Sequence, residues 1–302
     1  MSLKITAPVS LGAHNLVGTD VPEVDYAVWA SAATYALGDR CIKDNAIWEC
    51  AQDGNLNHSP SADDTDWWLF VSATNRWKAF DLDQFDWTEK ATSFYYEFTP
   101  GIVTAAHLVG LRDASSVRIR LTDPVAGLVF DSLNQPVGRL MTEVGWWAWG
   151  HGTRRMVDQV HMYNLPAYSA ATLRIDLAGG ANLGVQSVVA GTVKAFGRGV
   201  HQGARLGIDS YSKTGRDKWG TAKLKKGAYS KRVNFTVTIH ANELDELTDF
   251  LVESDARVQI WNVSDRWRST KLLGFTKSWE QTISSYAYTD VSFELEGVAA
   301  NG

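Results

Sequence analysis

Two stretches of the sequence decide the fold class. Val117-Arg118-Ile119-Arg120-Leu121 and Leu173-Arg174-Ile175-Asp176-Leu177 alternate apolar and charged residues. Successive side chains of a β-strand point to opposite faces, so each stretch predicts a strand with one face in a core and one in solvent. Turn-forming pairs at Pro100-Gly101, Asp123-Pro124 and Gly179-Gly180 separate such segments at intervals that favour an antiparallel sandwich over strand–helix–strand units.

The C-terminal part continues the alternation and adds one helix. Residues 233–239 and 291–295 again alternate apolar and polar side chains. Between them, leucines recur at i, i+3 and i+7 from Leu244, and Asn242 stands where an N-cap residue is expected. We therefore predict a mainly β protein with one helix near 242–252, packed on strands.

Composition limits the class of protein. The chain has 302 residues, of which 45% are hydrophobic and 21% charged, enough apolar material for about two domains. Its apolar runs are shorter than the roughly 18 to 20 residues that a membrane-spanning helix needs, and residues 1–8 lack the apolar centre of a secretion signal. We expect no membrane span and no export by a signal peptide.

The N-terminal third is rich in tryptophan. The chain has 13 tryptophans, and six of them lie between residues 29 and 87. Residues 40–43 and 47–51 predict two short strands joined at Asp44-Asn45-Ala46, which is a hairpin. A domain of about 45 residues has little interior, so its indole rings either fill a small core or remain partly exposed for stacking.

The two cysteines, Cys41 and Cys50, would stand nearly opposite each other on this hairpin. They could form one disulfide or remain two thiols, and the lack of an export signal favours thiols. Two cysteines are too few for a disulfide scaffold or a four-cysteine metal site.

Motifs for catalysis are absent from the sequence. Asp81, Asp83, Asp86 and Glu89 form a carboxylate cluster, but its position in a connecting segment favours a solvated turn or a cation site over a glycosidase acid pair. The seven histidines lack zinc-ligand spacing, and we find no P-loop, dinucleotide fingerprint or nucleophile elbow. We expect no enzymatic activity, no bound metal and no cofactor.

A strong positive charge is concentrated in residues 198–232. Ten Lys and Arg side chains face only Asp209 and Asp217 there, although the whole chain has a net charge of -5. An acidic neighbouring subunit, nucleic acid or plain solvent could each meet this segment. The acidic chain and the few interleaved aromatics favour the subunit over nucleic acid. The predicted interface residues are Lys213, Arg216, Lys218, Lys223, Lys225 and Lys226.

Residues 26–72 contain a series of aromatic residues with characteristic spacing. Trp29 comes first, then the turn Tyr35-Ala36-Leu37-Gly38-Asp39, then Trp48 on the next strand, and finally Trp67 after a proline. This pattern resembles the small chitin-binding modules, carbohydrate-binding modules of families five and twelve. The resemblance implies that the four aromatic residues stack on sugar rings, with Trp68 as an additional ring. Trp48 stands where tyrosine is common and the following loop is long, so the sugar need not be chitin.

Short motifs in the remaining chain, about 73–298, resemble tailed-bacteriophage virion proteins that carry such a module near the N-terminus. These motifs are Thr74-Asn75-Arg76-Trp77-Lys78-Ala79-Phe80-Asp81, Leu165-Pro166, Val189-Ala190-Gly191, Gly203-Ala204, Gly207-Ile208, Asp209-Ser210-Tyr211-Ser212, Trp219-Gly220, Tyr229-Ser230-Lys231-Arg232, Gly274-Phe275 and Glu296-Gly297. The resemblance implies a structural component of the tail tip, baseplate or collar, present as a ring and without catalytic activity. It would be made in the host cytoplasm and located in the virion. Its partners would be other tail proteins, copies of itself and a host-surface glycan.

These observations predict four parts. Residues 1–25 form an arm, or one or two edge strands, that packs on a neighbour; 26–72 form the carbohydrate-binding-module-like domain; 73–190 form a β-sandwich; and 191–302 form a β-rich assembly domain. The alternative function is a non-viral lectin or an accessory module of a polysaccharide-degrading system. A hydrolase would require an acid pair and a secreted lectin would require a signal peptide, and neither is visible in the sequence.

Overall fold

The structure, a computed structural model, describes residues 2–63, 65–140, 146, 151, 154–201, 203–216, 218–219, 221–283 and 286–300. Asp217 of the basic segment and Gly220 of the Trp219-Gly220 motif lie outside the described residues. Within these ranges the fold is mainly β, with antiparallel ladders and one α-helix, which confirms the predicted class. None of the helices in this part of the chain is long and apolar enough to cross a membrane.

The strands are numbered in chain order, and the helix is α1 (Leu244–Glu253). They are β1 (Leu3–Pro8), β2 (Leu16–Thr19), β3 (Thr34–Tyr35), β4 (Arg40–Lys43), β5 (Ala46–Cys50), β6 (Asn55–Leu56), β7 (Trp68–Ala73), β8 (Thr88–Glu89), β9 (Ser93–Phe98), β10 (Ala105–Val109), β11 (Arg112–Asp123), β12 (Gly127–Asp131), β13 (Gln135–Pro136), β14 (Gly138–Leu140), β15 (Arg154–Met156), β16 (Gln159–Tyr163), β17 (Thr172–Val185), β18 (Ser187–Phe196), β19 (Gly199–Val200), β20 (Arg205–Ser210), β21 (Lys213–Arg216), β22 (Ala222–Lys225), β23 (Tyr229–His240), β24 (Gln259–Asn262), β25 (Lys271–Thr282) and β26 (Tyr288–Gly297).

The seven-stranded sheet is built around the two stretches that predicted the fold. Strands β11 and β17 pair so that Val117 lies opposite Leu177, and Ile119 lies opposite Ile175. These four side chains are buried in the core of the sandwich. Arg120 and Asp176 alternate with these residues and point to the opposite face, where Arg120 Nη2 donates to the Asp176 carboxylate at 2.7 Å. The period-two pattern therefore separates an apolar face from a charged one, as predicted.

The other large sheet has ten strands and runs β16-β10-β18-β1-β24-β25-β26-β23-β19, with β20 also paired to β23. Its β18 strand crosses the predicted domain boundary at residue 190. Val188 and Ala190 of this strand belong to the sandwich core, whereas Phe196 belongs to a second core beneath α1. The strands assigned to 73–190 and to 191–302 thus share one hydrogen-bonded sheet.

Strand β1 occupies the interior of this sheet. Ile5 pairs with Lys194 of β18 on one side and with Trp261 of β24 on the other. Leu3 and Ile5 are fully buried. Residues 3–8 are therefore an interior strand rather than an arm, because both of their backbone edges and their apolar face are covered. The predicted edge strand is found at β2, which ends the seven-stranded sheet.

Helix α1 confirms the helix predicted near 242–252, but its start differs. A 3-10 turn spans Ala241–Glu243, and the α-helix begins at Leu244. Asn242 is therefore not the N-cap; that position is taken by Glu243, without a side-chain capping bond. Asp245 in the first turn still stabilises the positive end of the helix dipole.

We expect Ile5→Ala to lower the free energy of unfolding by about 2 to 5 kcal/mol, because it leaves a cavity in a closed core. Val17→Ala provides a control within the same N-terminal segment, since Val17 is 57% exposed. We expect a change of about 0.5 kcal/mol or less for the control. Urea unfolding followed by circular dichroism measures both, and equal effects would contradict an interior position for β1.

Candidate functional site

The tryptophan-rich module contains the predicted hairpin. Strands β4 and β5 pair from Lys43 opposite Ala46 to Arg40 opposite Glu49. Asp44 and Asn45 connect them with φ angles of 52° and 64°, a two-residue turn that suits the right-handed twist of a hairpin. Strand β7 pairs with β5 as the third strand of this small sheet.

The Tyr35–Asp39 motif forms a turn beside the hairpin. Gly38 has φ +84°, a value that favours glycine, and the Asp39 carboxylate accepts the backbone N–H of Ala36 at 2.8 Å. Tyr35 Oη accepts the N–H of Ala30 at 2.9 Å. Tyr35, Gly38 and Asp39 of this motif thus each have a local folding role.

Two of the five predicted sugar-binding rings are interior. Trp48 is 7% exposed and Trp68 is 1% exposed, and they form a core with the two cysteines. The indole N–H of Trp48 donates to Lys43 O at 3.2 Å, and that of Trp68 donates to His58 O at 2.8 Å. Neither ring presents a face to a ligand, so we correct their assignment to a structural role. A module this small uses indoles as its core because it has few other large apolar side chains.

The other three predicted rings, Trp29, Tyr35 and Trp67, are partly buried at the periphery of this core. His58 stacks on Trp67 with 3.9 Å between ring centroids and 11° between planes. Lys43 Nζ lies 5.5 Å from the centroid of the Trp29 ring. These contacts hold the rings in place while leaving part of each accessible, as ligand stacking requires.

An exposed apolar strand was missed from the sequence. Leu69, Phe70 and Val71 of β7 are all exposed, with Phe70 at 63%, and β7 ends its three-stranded sheet. Phe70 contacts Trp48 edge to face, with centroids 5.7 Å apart. The signal was present as an unbroken apolar run at 68–71, where a half-buried strand would alternate. Three consecutive exposed apolar residues on an edge strand mark a contact surface.

The cysteines are two buried thiols. The register places Cys41 opposite Trp48 rather than opposite Cys50, because the turn is two residues long. Burial and the neighbouring Cys50 raise the pKa of Cys41 to about 11. This thiol stays protonated at neutral pH and fills space in the core.

Asp81, Asp83 and Asp86 of the carboxylate cluster lie in a connecting segment, whereas Glu89 lies in β8. Asp81 Oδ1 accepts the N–H of Asp83 at 2.9 Å, and Asp83 Oδ1 accepts the N–H of Phe85 at 3.1 Å. Burial raises the pKa of Asp81 to about 6, and the nearby Asp83 and Asp86 add to the effect. Among the described residues, no three histidine, cysteine or carboxylate side chains are grouped to hold a metal ion.

The basic segment folds into a hairpin whose outer strands form a separate two-stranded sheet. Strands β20 and β23 pair from Arg205 opposite Asn234 to Ser210 opposite Tyr229, and β21 and β22 continue the hairpin beyond them. Every residue of β21 and β22 is exposed. We call residues 205–232 the basic ribbon.

Positive charges crowd the outer half of the basic ribbon. Lys213 lies directly opposite Lys225, a like-charge pair that destabilises the hairpin. Arg232 is 3.7 Å from Asp209 at the base of the ribbon. The described part of the chain gives no ion pair to the six predicted interface residues farther out, although Lys218 lies 5.2 Å from the Trp219 ring centroid.

A pair of histidines, one buried and one partly buried, was also missed. Strand pairing sets His107 of β10 opposite His161 of β16, and their Nδ1 atoms are 3.1 Å apart. His107 Nε2 lies 2.9 Å from Thr6 Oγ1, and His161 Nε2 lies 3.3 Å from Gln159 Oε1. Zinc-ligand spacing could not reveal them, because only the sheet brings residues 54 positions apart together.

Comparisons with protein-family models, with curated proteins and with solved structures found no match to this chain.

We expect the protein to lose stability as the pH falls from about 7 towards 3. Burial and the positive Lys271 and Lys231 lower the pKa of His161 to about 3, and burial, His161 and Lys271 lower that of His107. The unfolded chain takes up protons near pH 6.5 while the folded state does not, so the free energy of unfolding rises with pH in this window. For His161 alone the loss at pH 5 is about 2 kcal/mol.

Urea unfolding at pH 7.5 and pH 5 measures this effect. His161→Asn should have a smaller pH dependence than the unmodified protein, while a change at the exposed His14, His14→Asn, should leave the dependence intact. An unaltered pH dependence in His161→Asn would count against the titration of this pair.

Proposed function

We propose that the protein is a structural subunit of a larger assembly, and that the assembly is the tail of a bacteriophage, at its tip, baseplate or collar. The observation that carries the proposal is the basic ribbon, whose outer cations have no carboxylate partners among the described residues. The phage assignment itself draws on the sequence resemblance.

The basic ribbon suits a partner surface better than solvent. Its outer strands touch little of the fold, and the opposed Lys213 and Lys225 repel each other. A negatively charged partner would relieve that repulsion and give the contact its specificity. The exposed Leu224 and Trp219 add apolar area to the same element.

The proposal assigns no catalytic step. The Asp81 and Asp83 carboxylates are engaged with backbone N–H groups of their own turn. A glycosidase requires a proton donor and a second carboxylate facing each other across a substrate. The paired His107 and His161 bond to each other, to Thr6 and to Gln159.

We further propose that the tryptophan-rich module binds a surface glycan through Trp29, Tyr35 and Trp67, with Phe70 as an additional contact. The support is that Phe70 is exposed and the other three rings are partly exposed, while Trp48 and Trp68 fill the module core. A stacking contact contributes on the order of 1 kcal/mol, so one module binds weakly and several copies held together bind usefully.

We expect Trp67→Ala and Trp29→Ala to abolish glycan binding by a multimerised form of the protein on a glycan array. Trp219→Ala is the matched control, since it removes an indole that is 80% exposed on the basic ribbon. Trp48→Ala and Trp68→Ala would not serve, because they remove core side chains. Unchanged binding in both module variants would show that the module has another role.

We expect Lys223→Glu, Lys225→Glu and Lys226→Glu combined to give a folded protein that is excluded from virions. All three side chains are exposed, so circular dichroism and the thermal midpoint should match the unmodified protein. Protein content of purified virions measures incorporation, and normal incorporation would overturn the assembly role of the basic ribbon.

A further inference from the structure

A negatively charged surface lies on helix α1. Asp245, Asp249 and Glu253 follow one another at i, i+4 and i+8 and are all exposed, while Leu247 and Leu251 face the core. We call these three carboxylates the acidic helix face. The helix has no Lys or Arg, and the described residues form no ion pair with any of the three.

Like charges repel each other on both surfaces, negative charges on the acidic helix face and positive charges on the basic ribbon. Carboxylates four residues apart on a helix repel each other, as Lys213 and Lys225 do across the ribbon. Neither surface meets a counter-charge within one copy of the described chain. Bringing the two together would remove both repulsions in a single contact.

The spacing of charges on the two surfaces matches. Lys223 and Lys225 lie on the same face of β22, two residues and about 6.8 Å apart along the strand. Asp249 and Glu253 are separated by about 6 Å along the helix axis. Val252 lies beside this pair on the helix surface and is 68% exposed, so the alkyl stems of the lysines can cover it while their ammonium groups reach the carboxylates.

The charge distribution favours a second copy of this chain as the partner. Residues 198–232 carry ten positive and two negative side chains, so the rest of the chain, with a whole-chain charge of -5, carries -13. Every copy therefore brings one basic ribbon and one acidic helix face in equal number. A nucleic acid would instead be repelled by most of the surface around the ribbon.

We propose that the basic ribbon of one copy docks on the acidic helix face of the next copy. The two surfaces differ, so the contact is heterologous and leaves one ribbon and one helix face unused on each pair. Repetition closes a ring or extends an open chain. This inference rests on the assembly part of the proposed function and identifies the surface that the ribbon contacts.

Charge reversal on both sides tests the contact. The ribbon variant is Lys223→Glu, Lys225→Glu and Lys226→Glu, and the helix variant is Asp245→Lys, Asp249→Lys and Glu253→Lys. Sedimentation velocity at low and high salt measures association. We expect the unmodified protein to associate at low salt and each variant alone to associate at least tenfold more weakly. An equimolar mixture of the two should associate again, because an acidic ribbon then meets a basic helix.

A chain that carries both sets of substitutions should associate with itself, which also shows that the substitutions leave it folded. Asp63→Lys with Asp66→Lys, at two exposed positions between β6 and β7, is the control for added positive charge and should associate normally.

Three outcomes would overturn the inference. If the helix variant associates like the unmodified protein while the ribbon variant does not, the ribbon binds another surface and its assembly role survives. If the unmodified protein stays monomeric at every concentration tested, the self-contact fails together with its proposed role in forming a ring. If reversal of the ribbon leaves self-association intact but abolishes binding to a duplex DNA oligonucleotide, the ribbon is a nucleic-acid surface.

Discussion

The two-sided pairing of β1 is the constraint on which the rest of the structure depends. Its backbone bonds to β18 and β24, so the N-terminal residues hold together strands from the middle and the end of the chain. The fit is tight: a Cβ at Gly191 would lie 1.9 Å from Ala7 O. Thr6 also reaches across β18 to the buried His107. A side chain at position 191 would therefore clash with β1, and the Thr6–His107 contact links β1 to β10 across β18.

The sequence predicted what depends on local patterns. Val117–Leu121 and Leu173–Leu177 revealed their strands because alternation is a property of a few neighbouring residues. It did not reveal that residues 3–8 are interior, because a strand of six residues looks the same at an edge and in the middle of a sheet. Only its partners, nearly 200 and 260 residues away, decide its position.

The same limit applies to the candidate site. Tyr35–Asp39 and the Asp44-Asn45 turn were readable, because they depend on local φ angles and hydrogen bonds. The sequence did not reveal which indole rings are interior, since Trp48, Trp67 and Trp68 are the same residue type and no local pattern distinguishes them. The three-stranded pairing decides it by placing Trp48 and Trp68 over the cysteines. Because Trp48 and Trp68 are buried, the peripheral rings Trp29, Tyr35 and Trp67 remain available to a ligand.

Stability and assembly make different demands on the charged residues. On the seven-stranded sheet the outward charges are of both signs, and Arg118 and Arg174 each donate to a carboxylate within the same copy. On strands β21 and β22 of the basic ribbon and on α1 the signs are uniform, so none of these elements satisfies its charges by itself. Uniform charge costs each copy some stability. It persists at little risk to the fold because both surfaces lie outside the two apolar cores, where water screens the repulsion. A contact between copies would remove the repulsion on both surfaces and so contribute to the binding free energy. The strength of this contact would fall as salt is added, because salt screens the charges.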